Sequence, residues 1–262
     1  MLVTGSSSGI GRACGEFLNL NGWHVYGGCR TPGTVAAIDQ LTLDVRDEAS
    51  VEQAVAEIIR RDGQLDALVH CAGVSLTGPI EETTVAEAKD LFEVNYFGSL
   101  RMVRAVLPAM RAARSGRIVI VGSIASHIGL PFLAHYSASK FALEGLMEAL
   151  RLELAPYGVQ ASIVHPGDVA TAIVAHETRA GRTVPSSPYW RDYQAVSARY
   201  KSNVENGLPP ETVARAVAKL LQAPRPPVSQ FVGSTLELLA VGMKSRLPSR
   251  WFEYILRRSY DL

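Results

Sequence analysis

Tyr136 and Lys140 are the two residues whose types and spacing most directly suggest chemistry. A separation of four places both side chains on one face of a helix, about one turn apart. A phenol beside an ammonium group can act as a general acid or base. A surface tyrosine next to a solvated lysine would show the same spacing, so the pair alone leaves both interpretations open.

Ser123 directly follows Arg117 to Gly122, an apolar run that is typical of a buried parallel strand. In parallel sheets, ligands bind beyond the carboxyl ends of the strands. The sequence therefore predicts that the Ser123 hydroxyl lies at the edge of the sheet where a substrate would bind.

A glycine-rich segment, Thr4 to Gly11, follows the first predicted strand and opens a helix. Glycines let the backbone approach a pyrophosphate at the positive end of that helix. The same residues contain the G-x-S-x-G pattern of serine hydrolases, with Ser7 as the nucleophile. In those enzymes the serine follows several strands, whereas here it follows the first. The pattern therefore favours a dinucleotide site, with a serine hydrolase as the alternative.

Taken together and in their order along the chain, the motifs resemble those of the short-chain dehydrogenase/reductase family. The resemblance covers residues 1 to about 171 and, more weakly, the rest of the chain. It rests on the glycine-rich segment, Asn95, Ser123, the run Tyr136-Ser137-Ala138-Ser139-Lys140 and the run Pro166-Gly167-Asp168-Val169-Ala170-Thr171. The stretch from Ala138 to Leu146 is most similar to members that act on hydroxysteroids and related lipophilic alcohols or ketones.

The resemblance implies an oxidoreductase that transfers a hydride between a nicotinamide cofactor and a secondary alcohol or ketone. Tyr136 would be its general acid or base, and Ser123 would orient the reacting oxygen. Lys140 would hold the nicotinamide ribose and lower the pKa of Tyr136. Asn95 would anchor a water relay behind Lys140, or else mark a helix kink. A cofactor-sensing protein without catalytic activity is the alternative on the same fold.

The cofactor contacts implied by the resemblance are spread over the first 171 residues. Asp44 matches an adenine contact, although it also fits the start of the following helix, and Val169 and Thr171 match contacts to the carboxamide. Where the family usually has Asn-Asn-Ala-Gly, this chain has His70-Cys71-Ala72-Gly73, so the usual side-chain contribution near the adenosine is in doubt. The implied cofactor-binding residues are Gly5, Ser7, Ser8, Gly9, Ile10, Gly11, Arg30, Asp44, Val45, Ala72, Gly73, Tyr136, Lys140, Pro166, Gly167, Val169 and Thr171.

Arg30 bears on the choice between the two nicotinamide cofactors. It closes the second predicted strand, where relatives that prefer NAD carry an acidic residue for the adenosine ribose. A cation there favours the 2′-phosphate, so the sequence predicts that NADP(H) is preferred over NAD(H). A solvated loop arginine is the alternative, and Arg12 is expected to be an exposed helix residue.

Short β-rich runs alternate with helical patterns, which indicates βαβ units. The seven predicted strands are Met1 to Thr4, Trp23 to Cys29, Gln40 to Asp44, Leu65 to His70, Arg117 to Gly122, Gln160 to His165 and Gln230 to Gly233. The expected fold class is therefore α/β: a Rossmann-type doubly wound parallel sheet of about seven strands with helices on both faces. A single domain over residues 1–262 is expected.

Four local signals predict where helices begin and end. Ser50-x-x-Gln53 and Thr84-x-x-Glu87 fit capping boxes, and Gly63 and Gly116 stand where helices should stop.

Residues 171–208 break the alternation and are longer than an ordinary connection, which predicts a mobile substrate lid, with a structural excursion as the alternative. Apolar side chains of the lid and of the segment before Tyr136 are expected to line the cleft, which implies a bulky lipophilic substrate. These wall residues are Ile128, Leu130, Phe132, Leu133, Ile173, Val174, Tyr189, Trp190 and Tyr193. His127 is expected either to bind a distal polar group or to turn to solvent.

Composition excludes several classes of function. The formal net charge of +1 argues against a nucleic-acid binder. The three cysteines are far apart, which argues against disulfides and favours a cytoplasmic protein. No H-x-x-x-H pair is present, so no metal site is expected. Neither a signal peptide nor a membrane span is predicted.

The C-terminal tail, residues 243–262, mixes aromatic and basic residues in an amphipathic pattern. It could contact a membrane surface peripherally, or pack against its own or a neighbouring subunit. The resemblance also implies a homodimer or homotetramer, formed through the helices around Leu100 to Ala113 and Tyr136 to Leu154.

Overall fold

In a computed structural model, seven parallel strands form one sheet in the order β3-β2-β1-β4-β6-β7-β9. The structure describes residues 1–33, 38–173 and 177–262. The strands of this sheet are β1 (Leu2–Thr4), β2 (Tyr26–Cys29), β3 (Asp39–Thr42), β4 (Ala67–His70), β6 (Gly116–Val121), β7 (Val159–Pro166) and β9 (Ser229–Val232). A separate small sheet pairs β5 (Leu76–Thr77) with β8 (Thr178–Arg179). The helices are α1 (Gly9–Leu20), α2 (Glu48–Asp62), α3 (Val85–Phe92), α4 (Gly98–Ala113), α5 (Ala134–Leu154), α6 (Trp190–Glu205), α7 (Pro210–Gln222), α8 (Thr235–Lys244) and α9 (Ser249–Ser259).

Side chains of the central strands alternate between two hydrophobic cores. Leu2 and Leu68 point into the core shared with α2, α4 and α5. Val3 and Val69 point into the opposite core, shared with α1 and α7. Because helices cover both faces, the strands are buried on both sides and have no polar face.

The chain reverses its direction of growth beside β1. It adds β2 and then β3 on one side of β1, and crosses to place β4 on the other side. Such a switch opens a crevice at the carboxyl ends of the strands, which is where α/β proteins bind ligands. The predicted doubly wound sheet of seven strands is confirmed.

One of the two predicted capping boxes is present and the other is wrong. Thr84 and Glu87 cap α3 reciprocally. At α2, however, the cap is Asp47, whose side chain accepts the N–H of Ala49. Ser50 lies inside the helix, where its hydroxyl accepts the backbone N–H of Asp44 at 3.1 Å.

The predicted helix stop at Gly116 is also wrong. Gly63 ends α2 in the left-handed conformation, as expected. Helix α4 ends earlier, at Arg114, which adopts a φ of 50°. Gly116 begins β6 instead, and a Cβ there would lie 2.6 Å from the Met110 sulfur, so the position excludes larger residues.

The predicted lid has secondary structure of its own. Strand β8 pairs with β5, and α6 occupies most of the second half of the segment. Residues 174–176, including Val174, lie outside the described residues. The two short strands were missed because two residues carry no readable periodicity.

Candidate active site

The glycine-rich segment wraps tightly around the N-terminal end of α1. Gly5 and Gly9 have φ values of 66° and 52°, which favour glycine. A Cβ on Gly11 would lie 2.2 Å from the carbonyl oxygen of Gly5, so only glycine fits there. The first N–H groups of a helix lack partners within the helix. This bare helix end fits the pyrophosphate of a dinucleotide.

Two adjoining hollows contain the predicted cofactor-binding residues. The groove at the ends of β1 and β2 is lined by Gly5, Ser7, Ser8, Gly9, Ile10, Gly11, Arg30, Asp44, Val45, Ala72, Gly73 and Thr171. The neighbouring cleft is lined by Tyr136, Lys140, Pro166, Gly167 and Val169. Ile10, Gly73, Thr171 and Ile173 line both hollows, so a ligand in the groove would reach Tyr136.

Two arginines line the groove but not the cleft that holds Tyr136. Arg30 is exposed just after β2, and Arg46, which the sequence analysis missed, is also exposed. Arg46 approaches Asp90 at 4.0 Å. Asp44 accepts the backbone N–H of Arg46 at 2.9 Å and therefore closes a local turn. It does not begin α2, whose cap is Asp47.

Helix α5 carries Tyr136 and Lys140 towards the same cleft. The Lys140 ammonium lies 5.7 Å from the centroid of the Tyr136 ring and donates to the carbonyl of Val121 at 3.1 Å. Ser123 follows β6, and its Oγ accepts the N–H of Ala125 at 3.1 Å. The Ser123 hydroxyl is also close enough to act on the Tyr136 phenol. Three predicted catalytic side chains thus meet at the cleft.

Burial is the main influence on the acid–base properties of this group. It raises the pKa of Tyr136, while the neighbouring Ser123 opposes the rise. Burial also lowers the pKa of Lys140 to about 8. Desolvation of the phenol is the largest influence, so the pKa of Tyr136 lies above its usual value in the protein without cofactor, and the lowering by Lys140 that the resemblance implies stays a prediction. Tyr136 consequently keeps its proton at neutral pH.

Asn95 lies in a π-helical turn (Glu93–Phe97) between α3 and α4, which agrees with the helix-kink interpretation. Its Oδ1 accepts the N–H of Val74 at 2.9 Å. Its Nδ2 lies 3.0 Å from both the Val74 carbonyl and the Ser139 hydroxyl. Asn95 therefore ties the loop after β4 to α5, next to Lys140. The water relay stays a prediction.

The cleft in front of Tyr136 has a volume of about 330 Å³. Of the predicted wall residues, Ile128, Leu130 and Ile173 line it. Phe132, Leu133, Tyr189, Trp190 and Tyr193 do not line it within the described ranges.

Tyr193 shows why part of the predicted wall is wrong. It is buried, its ring packs on Phe132, and its hydroxyl lies 3.1 Å from the Thr77 hydroxyl. The second half of α6 faces the cleft in its place, together with α8 and α9. The residues that these helices contribute are Arg199, Tyr200, Asn203, Val204, Leu236, Glu237, Ala240, Leu256, Ser259 and Tyr260. The sequence analysis did not place them at the cleft, because their position depends on how three late helices pack.

His127 does neither of the two things expected of it. Its ring packs against His165 and Phe231, with centroid distances of 4.8 and 5.0 Å. It is half-buried there and does not appear in the part of the cleft wall that the structure describes.

Two carboxylates that the sequence analysis left unassigned face the cleft. The backbone N–H of Asp168 donates to Glu237 Oε1 at 2.6 Å. Burial, and then the charge of Glu237, raise the pKa of Asp168 to about 6. Asp168 is also close enough to Tyr136 to raise the phenol pKa. The pair places two carboxylates at the cleft, which the cation Arg199 also lines. A capping box, Ser234-x-x-Glu237, was the sequence signal available for Glu237.

Comparison with known proteins gives consistent results. A model of the short chain dehydrogenase family matches residues 1–181. The 3-ketodihydrosphingosine reductase of Bacteroides thetaiotaomicron is 35% identical over 263 residues, covering 100% of this chain and 98% of the relative. Human 17-beta-hydroxysteroid dehydrogenase type 1 is 34% identical over 252 residues, covering 88% and 76%. A short-chain dehydrogenase structure from Streptomyces avermitilis superposes with a TM-score of 0.81 at 30% identity, covering 98% of each chain.

Proposed function

Because the chain belongs to the short-chain dehydrogenase family and is an oxidoreductase acting on CH–OH or ketone groups, we propose that it reduces lipophilic ketones with NADPH. The family fold binds a nicotinamide cofactor, NAD(H) or NADP(H). One observation supports both the lipophilic substrate and the preference for NADPH. The cleft that holds Tyr136 and Ser123 has a largely apolar wall and adjoins a groove that two arginines line.

Each of three side chains has a different role in the proposed reaction. When bound, the cofactor supplies a hydride to the carbonyl carbon. Tyr136 donates its proton to the carbonyl oxygen, and the Ser123 hydroxyl holds that oxygen in place. Lys140 is buried next to the phenol and is positioned to bind the nicotinamide ribose.

The raised pKa of Tyr136 supports reduction as the favoured direction. At neutral pH the phenol carries the proton that ketone reduction consumes. Oxidation of an alcohol would need the phenolate, which burial disfavours.

Arg30 and Arg46 support the preference for NADP(H). Both line the groove where the adenosine ribose would lie, and both are exposed. A dianionic 2′-phosphate gains from two cations, whereas a ribose hydroxyl gains little from either.

Asp168 and Glu237 refine the substrate class. An apolar cleft with carboxylates near the proton donor suits a long-chain ketone that carries an ammonium group close to the carbonyl. The ammonium would pair with Asp168, and the chain would lie along Ile128, Leu130 and Leu256. The compound for which the Bacteroides relative is named, 3-ketodihydrosphingosine, is the first candidate. Steroid-sized ketones without a cation are the second candidate class.

Substrate series measured with NADPH test this function. We expect kcat/KM to rise from short hydrophilic ketones to long-chain ones, and a long-chain 2-amino ketone to exceed its analogue without the amino group. Asp168→Asn should remove most of the second difference, with the amine-free ketone as the matched control. Charged sugars as the best substrates would overturn the lipophilic assignment. An equal response of both long-chain ketones to Asp168→Asn would overturn the ammonium contact alone.

Helices α6 and α9 border the cleft and are proposed to cover the bound substrate. Leu256 and Tyr260 of the tail line the cleft, while Trp251, Tyr254 and Ile255 are exposed on its outer side. Among the described helices, none is long and apolar enough to cross a membrane.

The exposed side of α9 is proposed to contact an anionic lipid surface. The last turn of α9 carries Arg257 and Arg258, and the exposed aromatic residues of the helix are Trp251 and Tyr254. Such a helix binds through buried apolar area and attraction to acidic headgroups. Sedimentation with phosphatidylserine vesicles, compared with neutral vesicles, tests the contact, with Trp251→Ser as the variant expected to lose it.

We also propose that the protein forms a homodimer or homotetramer, that residues 1–262 fold as a single domain, and that the protein is cytoplasmic. Phe141 and Leu152 on α5 are 44% and 79% exposed, which is apolar surface that a second copy of the chain would cover.

A further inference from the structure

Three side chains that are far apart in the sequence meet next to Ser123. His127 follows a short 3₁₀ turn, Glu144 lies on α5, and His165 lies near the end of β7. Glu144 Oε2 is 2.8 Å from His165 Nε2 and 3.8 Å from His127 Nε2. The three atoms lie within 4.8 Å of one another. We call this group the His-Glu-His cluster.

The tautomer of His165 is set by the backbone. Its Nδ1 lies 3.1 Å from the carbonyl oxygen of Ser123. A carbonyl oxygen can only accept, so Nδ1 must carry the proton. Nε2 of the neutral ring therefore presents a lone pair to the Glu144 carboxylate at 2.8 Å. Two acceptors at this distance repel each other unless a cation serves both.

A proton on His165 Nε2 would not satisfy the whole cluster. A proton on His165 Nε2 would bridge to Glu144 Oε2 at 2.8 Å, but His127 Nε2 is also buried and has no hydrogen-bond partner in the part of the chain that is described. A single proton would leave His127 unpaired. One divalent metal ion can accept a lone pair from all three atoms at once.

The outer atoms of the cluster are held as metal ligands usually are. The Ser229 hydroxyl donates to Glu144 Oε1 at 2.7 Å, which leaves Oε2 for a metal. The Ser123 carbonyl orients His165 in the same way. Backbone carbonyls and hydroxyl groups commonly orient ligating histidines and carboxylates by such contacts. Phe231 stacks on His165 at a centroid distance of 4.8 Å.

We propose that the His-Glu-His cluster binds Zn²⁺. Two imidazoles and one carboxylate are a ligand set typical of zinc, with water as the fourth ligand. Tetrahedral bonds of about 2.0–2.2 Å place the ligand atoms about 3.3–3.5 Å apart. The separations in the structure span 2.8 to 4.8 Å. Side-chain movements of less than about 1 Å would therefore complete the site.

The position of the cluster assigns the ion a structural role. His127, Glu144 and His165 do not line the substrate cleft as the structure describes it. Through His165 the ion would hold the Ser123 carbonyl, and through Glu144 it would hold α5, which carries Tyr136. Zinc would thus fix the distance between the two hydroxyl groups that face the ketone.

Metal content is the direct test. The full chain, produced without a histidine tag, is incubated with Zn²⁺, dialysed against metal-free buffer and measured by mass spectrometry of the metal. We expect about one zinc per chain in the wild type and less than about a tenth of that in Glu144→Gln. His24→Asn is the matched control, because His24 also contacts two carboxylates, at 3.1 and 3.0 Å, but lies outside the cluster.

Thermal unfolding provides a second measurement. Zn²⁺ should raise the Tm of the metal-free wild type and of His24→Asn by about 5 °C, and leave Glu144→Gln unchanged. If Glu144→Gln does not fold, His127→Asn replaces it, since His127 is 30% exposed and its loss is better tolerated. Wild-type protein that retains no zinc and shows no Tm shift would overturn the proposal. So would a cluster variant that retains as much zinc as the control.

Discussion

Arg30→Ala is expected to remove most of the proposed preference for NADPH over NADH. Arg30 is exposed and forms no ion pair within the described part of the chain, so its charge is available to a ligand. Arg46 is partly neutralised by Asp90. A hydrogen bond to a charged group contributes about 1.5–3 kcal/mol, and solvent exposure puts Arg30 at the lower end. The expected loss in kcat/KM for NADPH is therefore about tenfold or slightly more.

Steady-state kinetics with NADPH and NADH at one saturating ketone concentration measure this effect. Arg30→Ala should lower kcat/KM for NADPH and leave that for NADH within about twofold, because a ribose hydroxyl makes no ion pair. In the wild type the preference should shrink at 1 M salt, where screening reduces the Debye length to about 3 Å. Arg12→Ala is the matched control, since Arg12 pairs with Glu16 on the outside of α1. Equal use of both cofactors by the wild type, or an unchanged kcat/KM for NADPH in Arg30→Ala, would refute the reasoning.

Five further outcomes are expected. Tyr136→Phe keeps the ring but removes the proton donor, so kcat should fall at least ~10²-fold with cofactor affinity nearly intact; retention of more than about a tenth of wild-type turnover would contradict the acid role. Because the pKa of Asp168 is raised to about 6, its carboxylate is present above that pH. For a 2-amino ketone, kcat/KM should fall as the pH drops through 6, and a neutral ketone should not share this fall. Gly11→Ala should weaken cofactor binding at least ~10-fold or unfold the protein, because its Cβ would lie 2.2 Å from a carbonyl oxygen. Gly145→Ala on α5, where a Cβ meets nothing within 4 Å, should instead stabilise the protein by about 0.5–1 kcal/mol in urea unfolding. Light scattering should report a dimer or tetramer for the wild type and smaller species for Phe141→Arg; a monomeric wild type would reject the predicted association.

Local signals in the sequence were sufficient for much of the groove at the start of α1. The glycine-rich segment and Ser123 each follow a strand directly, and the carboxyl ends of parallel strands meet at one edge of the sheet. Tyr136 and Lys140 share a helix face because their spacing matches one turn. Reliance on short segments also explains the errors at Ser50 and Gly116. Asp47 caps the start of α2 in place of Ser50, and α4 ends at Arg114 before it reaches Gly116.

The substrate end of the cleft could not be predicted in this way. Its walls come from α6, α8 and α9, whose orientations depend on packing against elements over a hundred residues earlier in the chain, such as the contact of Tyr193 with Thr77. The lowered pKa of Lys140 and the raised pKa of Tyr136 arise from desolvation, which exists only once the core has closed.

Two classes of property are thus separated in this protein. Periodicity, glycine positions and turn-length spacings are local, so the sequence by itself determined the sheet, the glycine-rich turn at the start of α1 and the shared helix face of Tyr136 and Lys140. Convergence of distant residues is non-local, so only the tertiary structure decided that Asp168 meets Glu237 and that His127 and His165 meet Glu144. Charge and burial at such meeting points depend on side-chain distances of a few ångströms, which no pattern along the chain encodes.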